Sequence, residues 1–464
     1  MPDTSETIEN KTFDEIAVGD RASLSRTLTR DDIDLFAVVS GDINPSHVDQ
    51  AFAGAAGPVA HSMWTGSLLS AVLGNELPGP GTVYAGQNLR FHRPVALGDT
   101  ITARVTVAEK KPGQNLVVFD CLCTNQDGEE VVTGTAEVVA PAEKISRPRT
   151  ALPEVGLKRQ DNYRRLIERS RAFGPVITAV AHPCDQASLA GSIEAAEAGL
   201  ITPILVGPEA KVKAVAESNG LDISPYRLIA TEHSEDSAVQ AVALVRGGEA
   251  EALMKGSLHT DELMRAVAKR DTGLRTGRRI SHCFVMDVPT YDQVLIITDA
   301  AINIYPTLED KQDICQNAIE LAQALGIEEP RVAVLSAVET VTPKIPGTLE
   351  AAALCKMADR GQITGALLDG PLAFDNAINP QAAETKGIAS QVAGRANILL
   401  VPDLEAGNML AKNLTFMANA DAAGIVLGAR VPIILTSRAD SVRTRMASCA
   451  VAVLVAEAQK APAS

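Results

Sequence analysis

The spacing of apolar and polar positions divides the chain into two halves with different rhythms. In the first half, 21–29 alternates as a strand does, and Thr29 stands where an N-cap would open a short helix reaching Val39. After a polar turn, the apolar stretch 63–73 predicts the one long helix of this half. Four alternating segments follow at 82–91, 100–107, 116–124 and 130–139, and Asp127-Gly128 between the last two is a hairpin signal. One buried helix followed by an antiparallel meander predicts an α+β domain over 1–143.

Beyond Phe173 the rhythm changes. Short Val/Ile/Leu runs at 175–181, 203–206, 228–231, 252–254 and 283–288 alternate with helical stretches. The series continues at 294–297, 332–335, 366–368, 398–401, 425–427 and 433–435. Continuous apolar runs separated by helices predict an α/β domain with mainly parallel sheets covered on both faces. Thr307 with Asp310 predicts a box-like N-cap, and Ile314, Ala318, Leu321 and Leu325 form the apolar stripe of the helix it opens. So much α/β chain, over 161–464, predicts two lobes with a cleft. Between the halves, 144–171 carries nine Lys/Arg against three Asp/Glu, with Pro148 and Pro153. Its start, 144–160, reads as a linker, and 160–171 as a basic amphipathic helix.

Composition narrows the classes. At 464 residues the chain predicts two or three domains, and 46% apolar with 21% charged residues is globular. With only 3% aromatic residues, the cores are built from Ala, Val, Leu and Ile. A net charge of −15 argues against nucleic acid or an anionic membrane as partner. No apolar stretch approaches a membrane span, and the polar, acidic start shows no secretory signal. Seven cysteines without a C-x-x-C pair predict core thiols in a reducing, cytoplasmic setting. No G-x-G-x-x-G follows a strand, and there is no Walker loop, G-x-S-x-G elbow or H-E-x-x-H. The seven histidines and seven cysteines show no metal-ligand spacing, so no metal and no permanently bound cofactor is expected.

Two constellations carry chemistry. In Ser40-Gly-Asp42-Ile-Asn44-Pro45-Ser-His47 an acid and an imidazole flank an Asn-Pro turn that can fold both toward one water. Such a pair can move protons during addition to a polarised double bond; the plainer alternative is a turn cap beside a half-exposed loop histidine. The second is Thr436-Ser437-Arg438-Ala-Asp440-Ser441, a buried strand running into a polar turn and a helix. A Ser and an Arg at such a strand mouth suit a phosphate, although Ser437 or Asp440 as a simple helix cap is the competing reading. Lys255-Gly-Ser257-Leu-His259-Thr260 and the run Arg270, Arg275, Arg278, Arg279 add polar and basic loops beside strands. Together they suit a substrate with several phosphates, against the alternative of a solvated face.

Residues 14–139 resemble the MaoC-like, (R)-specific enoyl-CoA hydratases of the hotdog fold, through S-G-D-I-N-P-S-H, Ala60-His-Ser-Met63 and Leu89-Arg-Phe-His-Arg-Pro-Val95 with Gly98-Asp99. The resemblance implies that Asp42 and His47 activate one water and that the Ser62 N–H, where the family has Gly, polarises the thioester carbonyl. It also implies that Ser70 helps shape the site and that the protein self-associates as a dimer or larger homo-oligomer. From about residue 162 onward the chain resembles the phosphate acetyl/butyryltransferases, through Lys255-Gly-Ser-Leu-His-Thr260, Thr298-Asp299-Ala-Ala-Ile-Asn303 and Val401-Pro-Asp403-Leu-Glu405-Ala-Gly407-Asn408. Thr436-Ser437-Arg438-Ala-Asp440-Ser441 completes the set, and several of these stretches are closer in style to the butyryl branch. Here the resemblance implies two α/β lobes, the second inserted roughly at 290–430, with Ser437 and Arg438 at the phosphate and Asp440 as the nearest acid, since Thr444 stands where the acetyl branch has its Asp. Lys255, Ser257, His259, Thr260 and Arg279 are the expected substrate-binding residues.

The two resemblances together imply a bifunctional enzyme. The first half would hydrate trans-2-enoyl-CoA to (R)-3-hydroxyacyl-CoA; the second would exchange acyl-CoA and phosphate for acyl phosphate and CoA. The alternatives are one active half joined to a CoA-binding or assembly module, or a non-enzymatic acyl-CoA or acyl-phosphate sensor.

Overall fold

The computed structural model describes residues 7–54, 57–153, 155, 161–436 and 440–460. They fall into two compact units that divide between Leu157 and Lys158.

The first unit opens with strands β1 (Thr7–Glu9) and β2 (Arg21–Thr27). Thr29 caps α1 (Arg30–Ser40): its hydroxyl accepts the Asp32 N–H, and the Asp32 carboxylate accepts the Thr29 N–H. Gly41 ends α1 at φ 74°, a left-handed conformation that a side chain would strain. Two single-turn helices, α2 (Pro45–Val48) and α3 (Gln50–Ala53), lead to α4 (Ser62–Asn75). Strands β3 (Val83–Phe91), β4 (Thr100–Lys111), β5 (Leu116–Thr124) and β6 (Glu130–Val139) complete an antiparallel sheet of order β2-β4-β5-β6-β3. Trp64, Leu68, Leu69, Val72 and Leu73 of α4 share one core with Ile101, Val105, Phe119 and Val138 of the sheet. At about 1.5–3 kcal/mol per fully buried side chain, that packing fixes α4, and with it the start of the helix, against the sheet.

The expected linker begins as part of this unit. Strand β7 (Ser146–Pro148) pairs antiparallel with β1. Buried Asn10 donates from Nδ2 to the Glu143 carbonyl at 2.8 Å and accepts the Ile145 N–H at 2.9 Å. Pro148 is tolerated because it closes an edge strand, where a missing N–H breaks no ladder.

The second unit starts with α5 (Asp161–Arg171), then β8 (Val176–Ala181), α6 (Gln186–Glu197), β9 (Ile201–Gly207) and α7 (Glu209–Ser218). Next come β10 (Arg227–Ala230), α8 (Ser234–Arg246), β11 (Ala252–Lys255) and α9 (Thr260–Val267). The middle of the unit is β12 (Ser281–Asp287), β13 (Leu295–Thr298), α10 (Leu308–Ala324), β14 (Arg331–Leu335) and α11 (Pro346–Asp359). It continues through β15 (Leu367–Leu372), α12 (Phe374–Ile378), α13 (Pro380–Thr385), β16 (Ile398–Leu400) and α14 (Leu404–Met417). Strands β17 (Asp421–Leu427) and β18 (Ile433–Ile434) and helix α15 (Val442–Lys460) close it.

All eleven strands form one sheet, β10-β9-β8-β11-β18-β17-β12-β13-β16-β14-β15. The chain leaves the first half of the sheet after β11, builds β12 through β17, and returns with β18 beside β11. Most neighbours are parallel, but β12 runs antiparallel to β13 and β17, and β17 antiparallel to β18. Buried apolar runs carry no alternation that would show strand direction, so these reversals were not legible in the sequence.

Residues 1–157 expressed alone should unfold cooperatively as one unit. Shortening that fragment to 1–143 removes β7 and takes Ile145 from buried Asn10, leaving its Oδ1 and its backbone N–H without their partner, which should cost roughly 1–3 kcal/mol. Thermal or urea melts of the two fragments measure the difference, and equal stability would show that the β1–β7 pair contributes nothing.

Candidate functional site

In the first unit, the polar turn after α1 brings three side chains together. Asp42, His47 and His61 each offer a ligand-type atom, and the three atoms lie within 4.8 Å of one another, a gap that one water can bridge with hydrogen bonds of about 2.8 Å. Asp42 is exposed, with Oδ1 accepting the Asn44 N–H at 3.1 Å. The Asn44 side chain in turn caps α2, on which His47 sits half-buried. His47 Nδ1 is 2.8 Å from the Val59 carbonyl. A carbonyl only accepts, so that nitrogen carries the proton and Nε2 keeps a lone pair for a base.

His61 was not selected from sequence. It is buried, its Nε2 lies 3.0 Å from the Asp42 carbonyl, and its ring centroid is 4.0 Å from that of His47. A lone histidine before an apolar helix reads as core; its place in Ala60-His-Ser-Met63 was the available signal. Ser62 is the exposed first residue of α4, where backbone N–H groups have no acceptor one turn earlier. Ser70 is also exposed, about 12 Å further along the same helix at 1.5 Å per residue.

In the second unit, Lys255 ends β11 and is buried, its Nζ 3.3 Å from the Gly256 carbonyl. Gly256 is required here, because a Cβ would stand 2.4 Å from the Ala181 carbonyl oxygen. The Ser257 hydroxyl donates to the His182 carbonyl at 2.8 Å and accepts the Cys184 N–H at 3.2 Å, locking the turn to the end of β8. His259 and Thr260 open α9; His259 is exposed, and its N–H donates to the Glu262 carboxylate. Lys255, Thr436, Asp185, Ser188 and Arg445 line one small cavity of about 10 Å³. Ser437 and Arg438 lie outside the described residues. Asp440 is half-buried just before α15, and the hydroxyl that meets the first turn of that helix is Ser441's, accepting the Thr444 N–H at 3.1 Å.

Arg279 does not join this group. It precedes β12, which runs in the same direction as β11 and β18, so Arg279 lies toward the opposite end of the strands from Lys255 and Thr436. Counting charges along the chain grouped them; strand direction separates them. The Arg279 guanidinium instead donates to Asn303 Oδ1 at 2.7 Å and pairs with Asp310 at 3.4 Å. Asn303 donates to buried Asp299, which also accepts the N–H groups of Ala301, Ile302 and Asn303. Asp299 and Asn303 thus form a buried polar node within Thr298-Asp299-Ala-Ala-Ile-Asn303, whose partner Arg279 lies too far along the chain for the motif alone to show. Beside it, His282 is wholly buried on β12, with Nδ1 lacking a partner among the described residues.

Comparison with known proteins places these sites in context. Residues 227–453 match the family described as phosphate acetyl/butaryl transferase, and residues 15–122 match the MaoC like domain. A phosphate acetyltransferase of Rhizobium meliloti is 68% identical over 299 residues, 64% of this chain and 95% of that protein. A phosphate butyryltransferase of Clostridium acetobutylicum is 42% identical over 288 residues, 62% and 95% of the two chains. The R-hydratase PhaJ1 of Pseudomonas aeruginosa, solved in its unliganded form, is 42% identical, covers 33% of this chain and all of its own, and has a TM-score of 0.32. Over the whole unit, identity is higher to this acetyltransferase than to this butyryltransferase.

The buried His282 gives the second unit a pH signature. Burial pushes its imidazole down from 6.5 to about 4, against the opposing pull of Asp299. Between those values the unfolded chain takes up a proton that the folded unit excludes, so stability is full above about 6.5 and falls as the pH drops toward 4. The melting temperature of residues 158–464 should therefore fall across that interval, and His282→Gln should flatten the slope. An unchanged slope in the variant would assign the acid sensitivity to other groups.

Proposed function

Because the chain belongs to the phosphate acetyl/butyryltransferase family through its second unit and carries a MaoC-like domain as its first, we propose that it catalyses two reactions of acyl-CoA thioesters. The first unit hydrates trans-2-enoyl-CoA to (R)-3-hydroxyacyl-CoA, and the convergence of Asp42 and His47 carries this reading. His47 Nε2 and the free edge of the Asp42 carboxylate share one water. One of them takes a proton as the water oxygen adds to C3 of the enoyl group, and a proton returns to C2. Negative charge developing on the thioester oxygen faces the N-terminus of α4, where the Ser62 N–H and the helix dipole oppose it. The change from Gly to Ser leaves that amide in place, which favours an active unit over an inert module.

The second unit exchanges acyl-CoA and phosphate for acyl phosphate and CoA. In the reverse direction the CoA sulfur attacks the acyl carbon, a C–S bond forms, and phosphate leaves with the C–O electron pair. By family resemblance Arg438 grips the phosphate, Ser437 steadies the transition state, and Asp440 takes the thiol proton. Lys255, Ser257, His259 and Thr260 shape the mouth of β11, with Lys255 lining one cavity with Thr436, and identity to the Rhizobium meliloti enzyme supports acetyl as the acyl group. Water, CoA thioesters and phosphate suffice for both reactions, so no resident metal or cofactor is invoked.

Two features bear on setting. Among the described residues no helix is long and apolar enough to cross a membrane, and the cysteines are free thiols, which supports a reducing compartment such as the cytoplasm. Strand β3 is a sheet edge exposing Val83, Tyr84 and Phe91, which supports self-association through this unit.

Crotonyl-CoA absorbance follows the first reaction. Asp42→Asn and His47→Ala should each lower kcat by roughly 10²–10⁴-fold, and the double variant should lose little more, because the two groups act as a unit. Wild-type rates in either single variant would remove the pair from the chemistry.

Phosphate-dependent thiol release from acetyl-CoA follows the second reaction. Arg438→Lys keeps the charge but loses the two-pronged fork, so transfer should fall strongly while hydration stays intact. Asp440→Asn should be partly rescued at higher pH, where the CoA thiol, with a pKa near the ~8.5 of a free cysteine, ionises unaided. Full-rate transfer in Asp440→Asn would place the base elsewhere.

A further inference from the structure

Asp42 is weakly tethered for a residue proposed to handle a proton. Its N–H donates to Ser40 Oγ at 3.2 Å, and its Oδ1 accepts the Asn44 N–H at 3.1 Å. Both partners are two residues away, so they shape the turn without tying it to the rest of the unit. Among the described residues, one hydrogen bond reaches Asp42 from beyond that turn, and it comes from His61.

His61 is built into every part of the site. Its Nε2 lies 3.0 Å from the Asp42 carbonyl, which can only accept, so the ring is the Nε2–H tautomer. The ring centroid is 4.0 Å from that of His47, with planes 30° apart, and Phe36 packs on it at 5.2 Å. As the residue before α4, its own carbonyl accepts the Trp64 N–H at 2.9 Å, so its backbone is continuous with the helix start. The side chain is 2% exposed, and Nδ1 has no hydrogen-bond partner among the described residues. A buried ring nitrogen left unpaired is a burden that phenylalanine would not carry. What histidine supplies in return is the N–H to Asp42.

We propose that His61 is a positioning residue for enoyl-CoA hydration. It holds the Asp42 turn and the His47 ring in fixed relation to each other and to the N-terminus of α4. It exchanges no proton with substrate. The proposal rests on reading Asp42 and His47 as the pair that activates water.

Two substitutions separate the ring from the N–H. His61→Phe keeps an aromatic face against His47 and removes the donor. His61→Gln loses the ring and keeps a donor that reaches the Nε2 position. In the full-length protein, His61→Phe should lower kcat for crotonyl-CoA hydration by about 10–10²-fold, the scale of a misplaced catalytic group. KM should change by less than about threefold, since the substrate contacts are untouched, and His61→Gln should recover most of kcat. Acetyl transfer by the same preparations reports that the chain is intact, and the melt of the first unit reports its fold.

A wild-type kcat in His61→Phe overturns the proposal. So does a loss in both variants as large as that of Asp42→Asn, which would make the His61 ring itself a proton carrier. If His61→Phe shows no folded first unit, His61→Gln decides: near-normal kcat supports positioning, and a loss equal to that of Asp42→Asn refutes it. Normal hydration by Asp42→Asn is a separate result that would remove the underlying reading, whatever His61 does.

Discussion

The second unit depends on a strand of two residues. Ile433 and Ile434 are wholly buried and lie between β11, which they meet in parallel, and β17, which they meet antiparallel. Without them the other ten strands would be two separate sheets, each with a raw edge where β18 now lies. The contact is close: a side chain on Gly424 of β17 would stand 2.5 Å from the Leu435 carbonyl. The same chain segment carries Thr436 to the cavity lined by Lys255 and leads into Ser437 and Arg438. Joining the sheet and bringing Thr436 to the Lys255 cavity are therefore one structural event.

The first unit solves a different problem. Its single long helix is apolar on most sides and must be wrapped, and the antiparallel sheet does this with Ile101, Val105, Phe119 and Val138. The start of that helix remains at the surface, where its free N–H groups can meet a ligand. The polar turn after α1 lies beside it through His61, whose ring and backbone belong to both. Rigid scaffold and exposed chemistry are divided cleanly, with one buried imidazole bridging them.

Much of this was legible in the sequence because much of it is local. Thr29 and Thr307 cap helices exactly three residues from the acids that complete their boxes, and β5 and β6 flank the Asp127-Gly128 signal as a hairpin. What was not legible depends on distant partners. Strand β7 pairs with β1 across more than a hundred residues, β12 and β17 reverse direction without any change in pattern, and Arg279 is parted from Lys255 by that direction. His61 was quoted in a motif yet given no role, because its partners are a carbonyl and a ring supplied by a turn earlier in the chain.

The place of β18 also bears on how the chain is made. Synthesis delivers residues in order, so β8 through β11 are made long before Ile433 and Ile434 exist, whereas β17 precedes them by only a few residues. Until then β11 is an open edge at the middle of a sheet, able to pair with a neighbouring nascent chain. The first unit, finished some three hundred residues earlier, can fold while this gap persists. In a polysome the acyltransferase half would be the exposed partner for that whole interval, and a chaperone that shields strand edges would be needed from the completion of β11 until β18 is in place.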